Sequence, residues 1–150
     1  VALIASGVPV LGVVLAPALG RLFAGVQGWG AFVEDTQGRR SIRCRPTPEE
    51  GLTVVASRSH GDVGALDAFL HGRKVAAVKR AGSSLKLCLV AAGEADAYPR
   101  LGRTMEWDTA AGHAVLLAAG GQVMDLAGDA LYYGKPGFDN PHFVAQGLGD

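Results

Sequence analysis

Across residues 1–45 the apolar positions run almost unbroken, interrupted at short intervals by glycine, proline and polar pairs. Residues 1–5, 10–16, 21–26 and 30–34 each read as a strand. Ser6-Gly7-Val8 and Gln27-Gly28 supply turns, and Thr36-Gln37-Gly38-Arg39 leads into a fifth strand over 41–45. An antiparallel meander is predicted. Runs this apolar are typical of strands buried on both faces, so the sheet calls for covering helices. Too few helical stretches follow to cover it, and one face is expected to lie open. Trp29 and Phe32 read as packing residues.

Pro46-Thr47-Pro48-Glu49-Glu50-Gly51 breaks the pattern with a Pro-rich, polar linker. Beyond it, strand and helix periods alternate. Residues 52–56 are β-rich and end in Ser57-Arg58-Ser59-His60. Val63, Leu66, Phe69 and Leu70 share one helical face, which predicts a helix over 62–71 with Asp62 as its cap. A strand over 75–78, a helix over 84–92 and a strand over 95–101 follow. Ala110, Ala111, Gly112, Ala114, Ala118 and Ala119 mark a helix over 109–119 that can pack very close to its neighbours. Asp108 would cap it and Gly120-Gly121 would stop it. Strands over 122–125 and 143–145 complete the pattern, with 131–133 pairing back as a hairpin beyond Ala127-Gly128-Asp129. The chain thus divides into a β-meander (1–45), a linker (46–51) and an α/β region (52–150).

Length and charge narrow the function. One domain with a sizeable core is allowed by 150 residues. The formal net charge is zero, so the composition provides no footprint for a nucleic acid polymer or an anionic membrane, and any phosphate site must be local. Residues 1–20 carry no charge, but Pro9, Pro17 and the glycines read against a transmembrane segment. No basic segment precedes them, which reads against a signal peptide. Cys44 and Cys88 are too few and too scattered for a disulfide framework or a zinc site, which fits a reducing cytoplasm. The opening at Val1, inside a strand already under way, predicts a partial chain.

In open α/β sheets, ligands bind beyond the carboxyl ends of the strands. His60, Gly82-Ser83 and Asp108 all follow such ends, so three loops are expected to converge on one edge. Read alone, His60 is equally a surface or capping histidine. Ser83 or Ser84 sits at the N-cap of the 84–92 helix, whose exposed N–H groups can hold an anion. Lys86 in the first turn opposes the helix dipole unless a phosphate binds there; a solvated lysine is the alternative. In Asp96-Ala97-Tyr98-Pro99-Arg100, alternation places Asp96, Tyr98 and Arg100 on one side, and Pro99 marks an edge or a strand end. The planar fork of Arg100 suits phosphate oxygens, although an exposed strand arginine is the plainer reading. Asp108 alone reads as a helix cap or as a rigidly held metal ligand. Glu106, Asp125, Asp129 and Asp139 read as turn or surface acids.

Trp107-Asp108-Thr109-Ala110-Ala111-Gly112, followed by Ala119-Gly120-Gly121, resembles the C-terminal signature of the inositol monophosphatase-like, metal-dependent phosphatases. Ser57-Arg58-Ser59-His60, Gly82-Ser83-Ser84-Leu85-Lys86, Tyr98-Pro99-Arg100 and Asn140-Pro141-His142-Phe143 narrow the resemblance to the 3'(2'),5'-bisphosphate nucleotidase branch, over nearly the whole chain. The resemblance implies an α/β protein of the layered α-β-α-β sugar-phosphatase-like fold, with mixed sheets, packed helices and the N-terminal part of the fold absent. It implies Mg²⁺ as cofactor with Asp108 as one metal ligand, and substrate contacts from His60, Ser83, Lys86, Arg100 and Asp108. The implied reaction is hydrolysis of adenosine 3',5'-bisphosphate to AMP and phosphate, with Arg100 selecting bisphosphate over monophosphate. Tyr132, Tyr133 and the 140–143 stretch resemble a closing structural element. The family's upstream motifs, a Glu-bearing helix and an Asp-Pro-(Ile/Leu)-Asp-Gly-Thr loop, do not occur in this sequence. No catalytic set is therefore complete here, and the missing N-terminal half of the same enzyme is the expected partner. An inositol or sugar monophosphatase and a non-catalytic nucleotide-binding remnant are the alternatives.

Overall fold

Apolar runs separated by tight turns fold back on one another to make the first sheet. Ser6 and Gly7 both take the left-handed backbone (φ 49° and 78°) that a two-residue hairpin turn requires. Strands β1 (Ala2–Ala5), β2 (Val8–Ala16), β3 (Arg21–Val26), β4 (Gly30–Asp35) and β5 (Gly38–Ile42) pair antiparallel in chain order, as the pattern predicts. β5 begins three residues earlier than expected because Arg39 and Arg40 reach back to Glu34 and Asp35 across the hairpin, at 2.7 and 2.9 Å. These observations come from a computed structural model that describes residues 1–57 and 63–147.

The remaining elements are β6 (Leu52–Ser57), α1 (Val63–Leu70), β7 (Val75–Ala81), α2 (Leu85–Ala91), β8 (Ala97–Arg100), β9 (Thr104–Met105), α3 (Glu106–Ala118), β10 (Gln122–Asp125), β11 (Asp139–Asn140) and β12 (Phe143–Gln146). The second sheet has the order β10-β12-β8-β6-β7. β6 runs parallel to β7 and β8, whereas β12 runs antiparallel to β8 and β10. β9 and β11 form a separate two-stranded ribbon that the residue pattern did not announce. The hairpin expected at 131–133 reduces to one bridge between Met124 and Ala130, because Tyr133 instead donates its N–H to the Gly7 carbonyl. Pro99 lies in an interior strand opposite Val144, so it marks a strand end, next to last in β8, rather than an edge. It is tolerated there because β8 pairs with β6 only at Ala97, short of the proline.

Helix α3 lies across the first sheet at very short range. A Cβ on Gly12 would stand 2.2 Å from the Ala111 carbonyl oxygen, and one on Gly25 would stand 2.8 Å from the Ala118 methyl. Only small residues on both partners permit this approach, so the alanine-rich helix and the glycine-bearing strands were built for each other. Phe23, Val33, Leu87, Val90, Val115, Leu116 and Phe143 fill the core between the two sheets. The far face of the first sheet is open, with Leu15 60 % and Leu3 57 % exposed, as the shortage of covering helices predicts. Trp29 is 91 % exposed at a turn, which corrects the packing role expected for it. Phe32 is half-buried under the Arg39 guanidinium, 4.3 Å from its ring centre. No helix among the described residues is long and apolar enough to cross a membrane.

Candidate active site

A cavity of ≈ 260 Å³ opens at the carboxyl ends of β6 and β8, where Ser57 and Arg100 terminate their strands. Ser83, Ser84 and Lys86 from the start of α2 line it, together with Tyr98 and Arg100 from β8 and Asp108 and Thr109 from α3. The structure therefore brings four of the expected residues, Ser83, Lys86, Arg100 and Asp108, to one place. His60 and the expected cap Asp62 lie outside the described residues, although Ser57, three positions before His60, is in the cavity wall.

Lys86 is 2 % exposed, so it is not a solvated lysine. Its Nζ turns back onto the Ser83 carbonyl at 2.9 Å and stands 4.9 Å from the centre of the Tyr98 ring. Burial, reinforced by the positive charge of Arg100, lowers its pKa to about 8. Ser83 holds a left-handed backbone (φ 52°), and Ser84 takes the N-cap position without a side-chain capping bond. Neither hydroxyl makes a hydrogen bond among the described residues. Arg100 donates through Nη2 to the Arg103 carbonyl at 2.7 Å, which fixes the guanidinium, while its buried Nε has no partner among the described residues. Burial pushes the Tyr98 hydroxyl up to about 12, so it remains a neutral wall that also stacks edge-on against Phe143.

Asp108 is not the helix N-cap. α3 starts at Glu106, Met105 occupies the cap position, and Asp108 stands third in the helix, where its Oδ2 accepts the Met105 N–H at 2.9 Å. The carboxylate thereby closes a capping-box contact that fixes its orientation. Its Oδ1 makes no hydrogen bond among the described residues, which leaves a hard oxygen donor at the cavity. That chemistry fits one ligand of a Mg²⁺ site. A full cage is another matter: among the described residues no three His, Cys, Asp or Glu side chains cluster to hold a metal ion.

Two acids differ from expectation. Glu106 is a buried anchor rather than a turn or surface acid. Its carboxylate accepts the backbone N–H groups of Gly134 (2.8 Å) and Lys135 (2.9 Å) and pairs with Lys135 Nζ at 2.7 Å. Burial pushes its pKa up, but these donors outweigh burial and hold the carboxyl below its usual range. Asp96 does not share the side of Tyr98 and Arg100. The strand begins only at Ala97, so alternation does not extend to it. Asp96 instead receives the Arg45 guanidinium at 2.8 and 2.9 Å and the Thr53 N–H at 2.6 Å. It lines a larger cavity of ≈ 450 Å³ at the opposite end of β8. No residue pattern signalled either anchor, because their partners lie far away in the sequence.

A buried polar chain behind Asp108 was also missed. Thr109, His113, Tyr133 and Asn140 are all buried, and the Tyr133 hydroxyl stands 3.0 Å from His113 Nδ1 and 3.1 Å from Thr109 Oγ1. Burial lowers the His113 pKa to about 4, so the imidazole is neutral at physiological pH.

Comparison with known proteins agrees with this architecture. The description of the inositol monophosphatase family matches residues 1–147. The 3'(2'),5'-bisphosphate nucleotidase CysQ of Escherichia coli (strain K12) is 44% identical over 144 residues, covering 95% of this chain and 57% of that protein. The crystal structure of CysQ from Bacteroides thetaiotaomicron superposes with a TM-score of 0.86 at 34% identity, over 97% of this chain and 60% of that one. An inositol monophosphatase from Anabaena (Nostoc) sp. PCC 7120 gives a TM-score of 0.76 at 30% identity, over 97% of this chain and 58% of the other. The chain spans little more than half the length of each of these relatives. With a match that runs through all but its last residues and a fold shared across the same span, the chain belongs to the inositol monophosphatase family.

Proposed function

We propose that this chain is the substrate-binding portion of a Mg²⁺-dependent 3'(2'),5'-bisphosphate nucleotidase that converts adenosine 3',5'-bisphosphate to AMP and phosphate. The observation that carries the proposal is the cavity in which one available carboxylate, Asp108, meets two fixed cations, Lys86 and Arg100. Two phosphates on one ligand call for more positive charge than one, and the 44% identity to a 3'(2'),5'-bisphosphate nucleotidase of Escherichia coli supports the same reading. Arg100 would grip phosphate oxygens with its planar fork, and Lys86 with Ser83 would hold the same or the second phosphate. His60 belongs to the proposal as a contact to the nucleoside. Asp108 would supply one metal oxygen and orient it through the Met105 bond. Mg²⁺, when bound, polarises phosphoryl oxygens and lowers the pKa of a bound water.

The other carboxylates that such a metal needs would come from outside this chain, in keeping with its 57% span of the nucleotidase relative. The division at 46–51 and a cytoplasmic setting are part of the same proposal, the latter supported by the unpaired, buried Cys44 and Cys88. A non-catalytic nucleotide-binding remnant is the second reading, favoured by the lack of a metal-holding cluster among the described residues. Phosphate release decides between them. The 150-residue chain alone is expected to be inactive at any Mg²⁺ concentration. The whole encoded protein is expected to release phosphate from adenosine 3',5'-bisphosphate faster than from inositol monophosphate. Preference for the inositol ester would reassign the substrate, and no turnover of either would favour the remnant.

A further inference from the structure

Behind Asp108, one hydroxyl proton determines the direction of a whole buried chain. Thr109 follows Asp108 directly, and its Oγ1 makes three contacts: the Glu106 carbonyl at 3.1 Å, the Tyr133 hydroxyl at 3.1 Å and Asn140 Nδ2 at 3.1 Å. A threonine hydroxyl has one proton and two lone pairs. The carbonyl can only accept, so the proton goes to Glu106. Both remaining partners must then donate to Thr109. The Tyr133 O–H is consequently committed to Thr109, and its oxygen must accept in its other contact, at 3.0 Å from His113 Nδ1. His113 therefore carries its proton on Nδ1. Every donor and acceptor in the series from Nδ1–H through the tyrosine and threonine hydroxyls to the Glu106 carbonyl is satisfied in this direction.

The same loop is gripped a second time. Tyr133 precedes Gly134 and Lys135, whose N–H groups the Glu106 carboxylate accepts. Side chains of Glu106 and Thr109 thus tie the first turn of α3 to one loop from both flanks of Asp108, and the Tyr133 N–H pins that loop to Gly7. Resting on the reading of Asp108 as a metal ligand, we infer that Tyr133 is a positioning residue for the metal site, holding the Asp108 turn through Thr109 while His113 directs its proton. The benefit is a carboxylate placed before the cation arrives, as partners behind a ligand do in metal sites generally.

The whole encoded protein, labelled with ¹⁵N at histidine, tests the chain directly. His113 is expected to show protonated Nδ1 and bare Nε2 at pH 7, assigned by loss of the signal in His113→Asn. A bare Nδ1 would overturn the inference. Tyr133→Phe is expected to speed exchange of the Met105 amide, which donates to Asp108, by about tenfold or more. The Mg²⁺ concentration for half-maximal phosphate release should rise about 10-fold or more, with substrate KM within about twofold. Unchanged amide exchange, or a change in KM alone, would overturn it. Should Tyr133→Phe fail to fold, His113→Asn and His113→Leu form a second pair. Asn keeps a donor near the Nδ1 position and should retain the wild-type Mg²⁺ requirement; Leu should not. Equal behaviour of the two would also overturn the inference. A whole protein that needs no metal would remove the nucleotidase reading, yet leave the tautomer and amide results to judge the relay by themselves.

Discussion

Two cavities sit at opposite ends of β8, and the larger one is not the candidate site. At the ≈ 450 Å³ cavity the carboxylate is already paired, since Arg45 holds Asp96 with two bonds, and the other cations, Arg73 and Lys74, are exposed to water and tied to the Phe69 and Glu49 carbonyls. At the ≈ 260 Å³ cavity, buried Lys86 is held by the Ser83 carbonyl and the Tyr98 ring and Arg100 by the Arg103 carbonyl, and among the described residues no carboxylate pairs with either. Two cations and a carboxylate with an available oxygen face the same space. Volume shows where the chain left room; buried, unneutralised charge beside an available carboxylate oxygen shows where a ligand completes the structure. The fixed ends of Lys86 and Arg100 also mean that little conformational freedom remains to be lost when an anion binds.

The sharpest way to break this contrast is to remove the acid of the satisfied pair. Asp96→Ala leaves the Thr53 N–H without its acceptor and Arg45 without its partner. Breaking a buried pair costs roughly 3–5 kcal/mol, and the low end, about 3 kcal/mol, is expected because the partly exposed Arg45 can turn to water. Denaturant unfolding of the whole protein should show this loss, while phosphate affinity stays unchanged. A change in affinity at constant stability would mean that the larger cavity takes the ligand. Burial pushes the Asp96 carboxyl up, but its Arg45 and Thr53 bonds bring it net below the ordinary value of 3.8. Its stabilisation should accordingly be complete above that value and be lost as the pH falls through the folded one.

Next in size is Arg100→Ala at the smaller cavity. Loss of a charge-assisted contact should weaken bisphosphate binding by roughly 1.5–3 kcal/mol, or about ten- to a hundredfold, and monophosphate binding much less. Calorimetric titration with both ligands measures the difference. Equal losses would make Arg100 a structural residue.

The smallest effect concerns Lys86, whose pKa is lowered to about 8. Below that value the ammonium is charged and can hold phosphate. As the pH rises past it the charged fraction falls about tenfold per unit, and anion affinity should fall by no more than that between pH 8 and 9. Bound phosphate favours the ammonium, so the midpoint should move upward in the complex. Lys86→Arg should flatten the profile.

Local chemistry made much of this molecule legible. Turn residues separated the meander strands, a shared apolar face located α1 and α2, and the alanines of α3 announced a close approach that Gly12 and Gly25 then received. Tyr98 and Arg100 were paired correctly by strand alternation, and Lys86 and Asp108 were found beside them in one cavity. Each of these signals lies within a few residues of the feature that it predicts, because backbone geometry repeats over short distances.

What tertiary structure decided depends on partners that local periodicity cannot name. Asp96 left the alternation to meet Arg45, 51 positions earlier, and Glu106 left the surface to take donors 28 and 29 positions later. Trp29, an apolar residue by type, ended on a bare turn that no described element covers. His113 and Tyr133 look like ordinary core residues along the chain, and only their meeting with Thr109 gives each hydroxyl a direction. The sequence by itself determined most of the strands and helices, though not the β9–β11 ribbon, and which residue types could bind phosphate or metal. Which charges neutralise one another, and which are left for a ligand, was decided by folding, since desolvation and pairing act between side chains that only the packed chain brings together.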